Sequence, residues 1–234
     1  MSATSQRWGV EPDVRATIIR QAGSIALALI PFGLAFGVSC TRAGLNWVQA
    51  AGFSTLVFSG GSQFASVGVL GDGGGAAAAI GAGLLLNIRS LVYGLVMAPT
   101  LKGSVRSRAL ASQLMIDEAV AVSTAQTGQR ARYVGYLAGG LGVFATWNAS
   151  TLVGALAFGS SSNLVERLGL DATVPAAFAA LLWPRLKQAE ARTVAILGGI
   201  IALILIPNAP PGIPIVASAA AVLVVLIPAR RTKA

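Results

Sequence analysis

Two polar side chains, Asn87 and Arg89, lie in the middle of the apolar stretch LLLNIRSLVYG. Sixteen uncharged residues separate Arg89 from Asp72, and twelve separate it from Lys102. A guanidinium can hold a carboxylate through two parallel hydrogen bonds, and a side-chain amide can either donate or accept one. The two residues are therefore candidate substrate-binding groups if they lie inside a membrane-embedded protein.

The length of the apolar window bears on where Arg89 lies. Residues 73–101 would extend about 43 Å as one helix, whereas the hydrocarbon core of a bilayer is about 30 Å thick. A helix centred on this window places Arg89 near the midplane, which favours a buried role. In the alternative, the helix ends near Arg89, whose side chain extends to the interface, and residues 91–101 form a separate short segment.

A second polar group, SGGSQ, interrupts the apolar segment 46–71. Adjacent glycines disfavour a continuous helix, and lipid tolerates irregular backbone only where it faces protein or a water-filled cavity. Transporters use such breaks to present backbone groups to a substrate. In the alternative, the segment is a packing seam in which the glutamine forms an interhelical hydrogen bond. The candidate substrate-binding residues here are Ser59, Gly60, Gly61 and Gln63.

Two adjacent carboxylates, Asp117 and Glu118, lie in the moderately apolar segment 109–128. Inside a membrane they would be costly unless they pair with a cation or carry protons. Arg89 is the obvious partner. The pattern slightly favours a membrane-embedded element over an interfacial helix, and both carboxylates are candidates for ion pairing or proton coupling.

The composition indicates a membrane protein. Charged residues make up 11% of the 234 residues, against about 25% in soluble domains, and the mean hydropathy is +0.74. The uncharged windows have room for roughly six to eight spans of ~20 residues. We therefore predict an all-α, polytopic transmembrane helical bundle of about six to eight spans, with broken or kinked helices.

The first span, residues 22–39, contains Pro31, which lacks a backbone N–H and should kink the helix. Gly33 and Gly37 are four residues apart, a spacing that lets helices approach closely in lipid.

The second half of the chain predicts four more segments. Residues 133–158 form a glycine-rich span that contains Asn148, a further candidate substrate-binding residue. Asp171 is a candidate N-cap of a helix within 166–187 and a third carboxylate for ion pairing or coupling. The last two spans, residues 193–207 and 213–228, flank the turn sequence PNAPPG.

Charge defines the ends of the chain. Residues 1–20 form a basic cytoplasmic tail, 21–229 a single transmembrane domain and 230–234 a basic C-terminal tail. The basic residues cluster between apolar windows, as in cytoplasmic loops, so nucleic-acid binding poorly explains the net charge of +9. Eight crossings would place the basic residues of 102–108 outside. That position conflicts with the rule that basic loops stay on the cytoplasmic side. If SGGSQF is a re-entrant break and 109–128 an interfacial helix, the conflict disappears, and the chain has two crossings fewer.

The residue inventory argues against an enzyme. The chain has no histidine, which excludes Ser-His, Cys-His and His-metal sites, and Cys40 has no second cysteine to pair with. The lysines lie in predicted loops or tails, where they cannot serve as buried bases. We therefore expect no catalytic residues, no metal and no cofactor.

Five motifs occur in one order across residues 20–228: IPFGLAFGV, FSGGSQFASVGVL, NIRSLVYG, DEAVAV and GLDATVPAAFAALL. Together they resemble the AzlC-type branched-chain amino acid permeases. The resemblance implies a bacterial inner-membrane, multi-pass exporter of Leu, Ile and Val, with Met as a further candidate. It also implies a small AzlD-type membrane subunit as partner and the proton gradient as driving force.

This chain departs from the family pattern at two places. Ser90 stands where members commonly have histidine, and GGSQF replaces GAAQF. Proton coupling would therefore depend on carboxylates, or be absent.

The resemblance is compatible with a site for a zwitterion. The substrate carboxylate could be held by Arg89, or by backbone N–H groups around Gly60 and Gly61. Its ammonium group could meet Gln63, Asn87 or a carboxylate. The alternative function is a channel-like or accessory membrane subunit of a complex with a different small solute.

Overall fold

The computed structural model describes residues 9–158, 176, 179, 182, 183 and 185–226. Within these residues every regular element is helical, which confirms the predicted all-α membrane fold. The π-helical turn Gly154–Phe158 continues α9. The helices are α1 (Pro12–Ala28), α2 (Ile30–Arg42), α3 (Trp47–Leu56), α4 (Gly60–Gly71), α5 (Ala76–Asn87), α6 (Arg89–Met97), α7 (Val105–Ser112), α8 (Asp117–Thr124), α9 (Gln129–Val153), α10 (Ala189–Leu205), α11 (Ile213–Ser218) and α12 (Leu223–Leu226).

Three stretches of the described chain are long and apolar enough to cross a bilayer as near-continuous helices. They are Pro12–Arg42, Ala76–Met97 and Gln129–Ala157, of 31, 22 and 29 residues. At 1.5 Å per residue, even the 22-residue stretch extends about 33 Å. The larger number of spans predicted from the sequence included segments that the structure divides into shorter helices.

The first long stretch is interrupted at Leu29, two residues before Pro31. Helix α1 begins at Pro12, so it includes part of the segment that the sequence assigns to the N-terminal tail. Ile18 is fully buried there, in a cluster that includes Val122 of α8 and Val134 of α9. This part of the tail is therefore packed structure.

Helix α2 packs closely on α9 through its glycines. A methyl group at Gly33 would overlap the side chain of Ser150, and one at Gly37 would overlap the carbonyl oxygen of Thr151. The close approach that the glycine spacing predicts is therefore present, and α9 forms the centre against which α1, α2, α3 and α8 pack.

The predicted break in the second apolar segment is present, which confirms the broken-helix architecture. It comprises residues 57–59, and Gly60 is the first residue of α4. Gln63 reaches back to the carbonyl oxygens of Phe53 and Ser54, which are out of reach if α3 and α4 are collinear. Two half-helices therefore meet at an angle within 46–71, as the broken-helix interpretation predicts.

The span Ala76–Met97 carries the Asn87–Arg89 motif near its middle. The helical hydrogen bonding is irregular at Ile88, where the Leu91 N–H donates to the Ile88 carbonyl only three residues away, at 3.0 Å. Arg89 is the fourteenth of the 22 residues. A second polar motif thus lies at an interruption in mid-span.

The predicted element 109–128 is not one helix. It divides between α7 and α8, which are joined by the turn 113–116. Helix α8 has eight residues and extends about 12 Å, too short to cross a bilayer alone. Its buried face, which includes Ala119 and Val122, packs against α9 and α1.

At the C-terminal end, α10 and α11 are separate helices, as the turn sequence between them predicts. Gly212, at the start of α11, lies against Val69 of α4 and Ala78 of α5. Most of the predicted helix in 166–187, including Asp171, lies outside the described residues.

Candidate functional site

Two glutamines cap the last carbonyl groups of helix α3. The Gln63 amide donates to the carbonyls of Phe53 and Ser54, at 3.4 and 3.3 Å. The Gln113 amide, from the turn before α8, donates to those of Thr55 and Leu56, at 2.8 and 3.3 Å. The Phe53 carbonyl also accepts from the Val57 N–H, at 3.0 Å, whereas the carbonyls of the last three residues of α3 have no i+4 partner. The two glutamine side chains supply donors to these carbonyls and so stabilise the break.

The other side of the break is the N-terminus of α4. Its first internal hydrogen bond is from the Gln63 N–H to the Ser59 carbonyl, at 2.9 Å. Within the described part of the chain, the N–H groups of Gly60, Gly61 and Ser62 have no acceptor. The Ser59 hydroxyl pairs with that of Ser62, at 3.1 Å, instead of capping the helix. Free N–H groups and the positive end of a helix dipole are groups that favour an anion.

Asn148 lies on the α3 side of the break. Its Oδ1 accepts a hydrogen bond from the Thr55 hydroxyl at 2.9 Å, and its Nδ2 donates to the Phe144 carbonyl. Ser54 and Thr151 make a parallel link between the same helices, at 3.4 Å. Oδ1 of Asn148 therefore joins α9 to α3, whereas its Nδ2 bonds within α9.

Aromatic side chains surround the start of α4. The Phe36 ring is edge-on to Phe53 and Phe64, and it stacks on Trp147 with ring centroids 6.2 Å apart. Phe64 also meets Trp147 edge-on. These four residues, the aromatic cluster, place apolar surface beside the polar N-terminus of α4.

A second polar group joins α6 to α8. Arg89 Nη1 lies 2.7 Å from Asp117 Oδ2, and the Tyr93 hydroxyl donates to Asp117 Oδ1. Arg89 and Tyr93 are one helical turn apart and therefore share a face of α6. The carboxylate of Asp117, at the first residue of α8, is thus bonded through both oxygens.

Asn87 and Glu118 lie close to this ion pair in sequence. Asn87 accepts a hydrogen bond from Ser90, at 2.8 Å. Glu118 is half-buried beside Asp117 and makes no ion pair within the described ranges. Ser90 thus holds the Asn87 side chain.

The predicted substrate-binding residues therefore fall into two groups. One contains Ser59, Gly60, Gly61 and Gln63 at the α3–α4 break, with Asn148 on its far side; the other contains Asn87 and Arg89. Helices α4 and α5 pack together where the Ser66 hydroxyl donates to the Ala79 carbonyl, at 2.8 Å. Among the described residues, no hydrogen bond joins the two groups directly.

Sequence reasoning missed two residues of these groups, Tyr93 and Gln113. The spacing of Tyr93 from Arg89, four residues, was a usable signal, because both side chains lie on one helix face. Gln113 gave no local signal, since the carbonyls that it caps lie 57 and 58 residues earlier in the chain.

The family model for the AzlC protein matches residues 24–160, which include both breaks, the aromatic cluster and the Arg89–Asp117 pair. The chain belongs to the AzlC family. The resemblance inferred from the five motifs is thereby confirmed.

Two relatives of AzlC-family type extend this match. An uncharacterized membrane protein of Archaeoglobus fulgidus is 32% identical over 182 residues, covering 76% of this chain and 78% of the relative. The inner membrane protein YgaZ of Escherichia coli K12 is 26% identical over 192 residues, covering 75% and 76%. No solved structure matches the chain. Like these relatives, this AzlC-family chain is a membrane protein.

Proposed function

We propose that this chain exports branched-chain amino acids across the bacterial cytoplasmic membrane, together with a small AzlD-type membrane subunit and driven by the proton gradient. Leu, Ile and Val are the proposed substrates, and Met is a further candidate. Membership of the AzlC family supports the proposal. The observation that carries it is the N-terminus of α4, whose first N–H groups have no partner within the described residues.

An amino acid suits the chemistry of this break. Its carboxylate would accept hydrogen bonds from the N–H groups of Gly60 and Gly61, at the positive end of α4. Its aliphatic side chain would contact the aromatic cluster. Arg89 is a weaker candidate for the carboxylate, because its guanidinium already pairs with Asp117.

The carboxylates on α8 are the proposed route for proton coupling. A proton on Asp117 would weaken its pairing with Arg89 and Tyr93, and so loosen the contact between α6 and α8. Glu118 is the second candidate, since it is half-buried and has no ion pair in the described ranges.

A partner subunit is supported by the exposure of the span that carries Arg89. In its most apolar 18 residues only 17% are buried, against 39% in each of the other two long stretches. Leu91 and Leu95 are largely exposed on it, and the Arg89 side chain is 38% exposed. A small membrane protein that packs here would cover a charged group that lipid covers poorly.

The direct test is leucine efflux from proteoliposomes or cells that contain the chain, alone and with its co-encoded small membrane protein. The matched variants are Gly60→Ala and Gly68→Ala, both in α4. A methyl group at Gly60 would lie 3.1 Å from Trp147 Cη2 and crowd the site, whereas one at Gly68 meets nothing within 4 Å. We expect G60A to reduce efflux and G68A to leave it unchanged.

The form of the flux separates the alternatives. Saturable counterflow supports a carrier, whereas flux that rises linearly with concentration would indicate a channel-like pore. If no branched-chain amino acid is transported, either by the chain alone or by the chain with its co-encoded small membrane protein, the proposed substrate is wrong.

A further inference from the structure

Two buried polar atoms near the α3–α4 break have no hydrogen-bond partner among the described residues. They are Oε1 of Gln63, whose side chain is fully buried, and Nε1 of Trp147, which is 5% exposed. An unpaired buried polar atom destabilises the fold, so native structures usually give it a partner. One atom accepts hydrogen bonds only and the other donates only.

Both atoms lie at the N-terminus of α4. Gln63 is the fourth residue of this helix, and its Nε2 is committed to the α3 carbonyls, so the orphan oxygen is the other end of the same amide. The Trp147 ring lies against Gly60: a methyl group there would be 3.1 Å from Cη2 and 3.5 Å from Cζ2. Two covalent bonds separate Cζ2 from Nε1, so the indole N–H is within a few ångströms of the first residue of α4.

The described surroundings hold the two side chains in place without satisfying these atoms. Phe36 and Phe64 pack on the Trp147 ring, and aromatic rings of phenylalanine offer no conventional acceptor. The unpaired groups are thus one acceptor, one indole donor and the free backbone donors of α4. A ligand that has an anionic and a cationic group on one carbon would satisfy all of them.

We propose that Trp147 and Gln63 orient the substrate: Trp147 Nε1 donates to its carboxylate, and Gln63 Oε1 accepts from its ammonium group. This inference rests on the export function proposed above, because it concerns the same site. It assigns to Trp147 a substrate contact that the sequence did not indicate. In this proposal the Nε2 of Gln63 caps α3 and its Oε1 binds the substrate.

The recognition of the two ends can be separated with three ligands: leucine, 4-methylpentanoate, which lacks the amino group, and 3-methylbutylamine, which lacks the carboxylate. Binding would be measured in nanodiscs on the chain with its co-encoded small subunit. Trp147→Phe keeps an aromatic ring and removes the N–H. We expect this variant to bind leucine and 4-methylpentanoate about 10-fold more weakly, because one charge-assisted hydrogen bond is lost. Its affinity for 3-methylbutylamine should stay unchanged.

Gln63→Leu should instead lower the affinity for leucine and 3-methylbutylamine and leave the affinity for 4-methylpentanoate unchanged. Gln113→Leu is its matched control, because it also removes two caps from α3 but no orphan acceptor. If Q63L and Q113L change binding alike, Gln63 acts only as a cap, and its part of the proposal is overturned.

A spectroscopic measurement tests Trp147 even if a variant folds poorly. The indole N–H resonance of Trp147, assigned as the signal missing in W147F, should move when leucine binds. That of Trp47, which is half-exposed at the start of α3, should not. Normal leucine binding with no shift at Trp147 overturns this inference alone, whereas no leucine binding by the wild-type complex overturns the export function as well.

Discussion

Arg89 Nη1 lies 2.7 Å from Asp117 Oδ2, so an ion pair joins the middle of one interrupted span to the first residue of a short buried helix. The side chains are 38% and 32% exposed, which leaves the pair partly open to a partner or to water. Each charge makes the other tolerable at this depth, because a single charge in apolar surroundings is costly.

The two side chains of this pair should contribute to stability jointly. We expect Arg89→Gln and Asp117→Asn each to lower the free energy of unfolding by about 1–3 kcal/mol, between the values for exposed and buried pairs. The double variant should lose less than the sum of the two. Thermal unfolding in detergent measures all three, and strictly additive losses would show that the two side chains do not interact.

The Tyr93 hydroxyl should make a smaller contribution to the same contact. Tyr93→Phe removes its hydrogen bond to Asp117 Oδ1 and keeps the ring, so a loss of about 0.5–1.5 kcal/mol in stability is expected. Tyr133→Phe is the matched control, since Tyr133 has an exposed side chain on α9. Equal losses in the two variants would contradict a specific role for Tyr93.

The ion pair illustrates what the sequence could predict. A charge inside an apolar segment needs a partner of opposite charge, because lipid solvates it poorly. This reasoning was enough to name Arg89, in 73–101, as the partner of the carboxylates in 109–128. The same reasoning could not choose between Asp117 and Glu118, because the choice depends on how α8 is rotated against α6. That rotation is set by packing on α9, and it leaves no trace in local sequence.

The break between α3 and α4 was predictable for a different reason. Adjacent glycines and serines weaken a helix wherever they occur, so SGGSQ predicted either an interruption or a packing seam. The angle between the half-helices was not predictable, because it depends on which groups cap the carbonyls of α3. One of those groups, Gln113, belongs to a segment that the sequence had suggested was one continuous helix.

The cap from Gln113 should support stability and not ligand recognition. Gln113→Leu leaves the Thr55 and Leu56 carbonyls without this donor, and we expect a loss of about 1–2 kcal/mol in the free energy of unfolding. The KM for leucine efflux should stay unchanged. A raised KM with normal thermal stability would place Gln113 in the substrate path instead.

Close packing of α2 on α9 should make Gly37 intolerant of substitution. In Gly37→Ala the added methyl group meets the backbone of Thr151 and Ala155, which cannot rotate away, so about 1–3 kcal/mol should be lost. Gly23→Ala in α1 is the control: nothing lies within 4 Å, and alanine should stabilise the helix by about 0.5–1 kcal/mol. The yield of folded protein in detergent would reveal the difference, and similar yields would contradict the packing argument.

The caps on α3 also bear on how the protein is made. Thr55 receives its cap from a residue 58 positions further along the chain, and synthesis proceeds from the N-terminus. Until that residue leaves the ribosome, the carbonyls of Thr55 and Leu56 must keep water, because lipid offers no substitute. We therefore expect the half-helices α3 and α4 to stay at the membrane surface during this part of translation. They would enter the bilayer only after the span Ala76–Met97 has been inserted ahead of them.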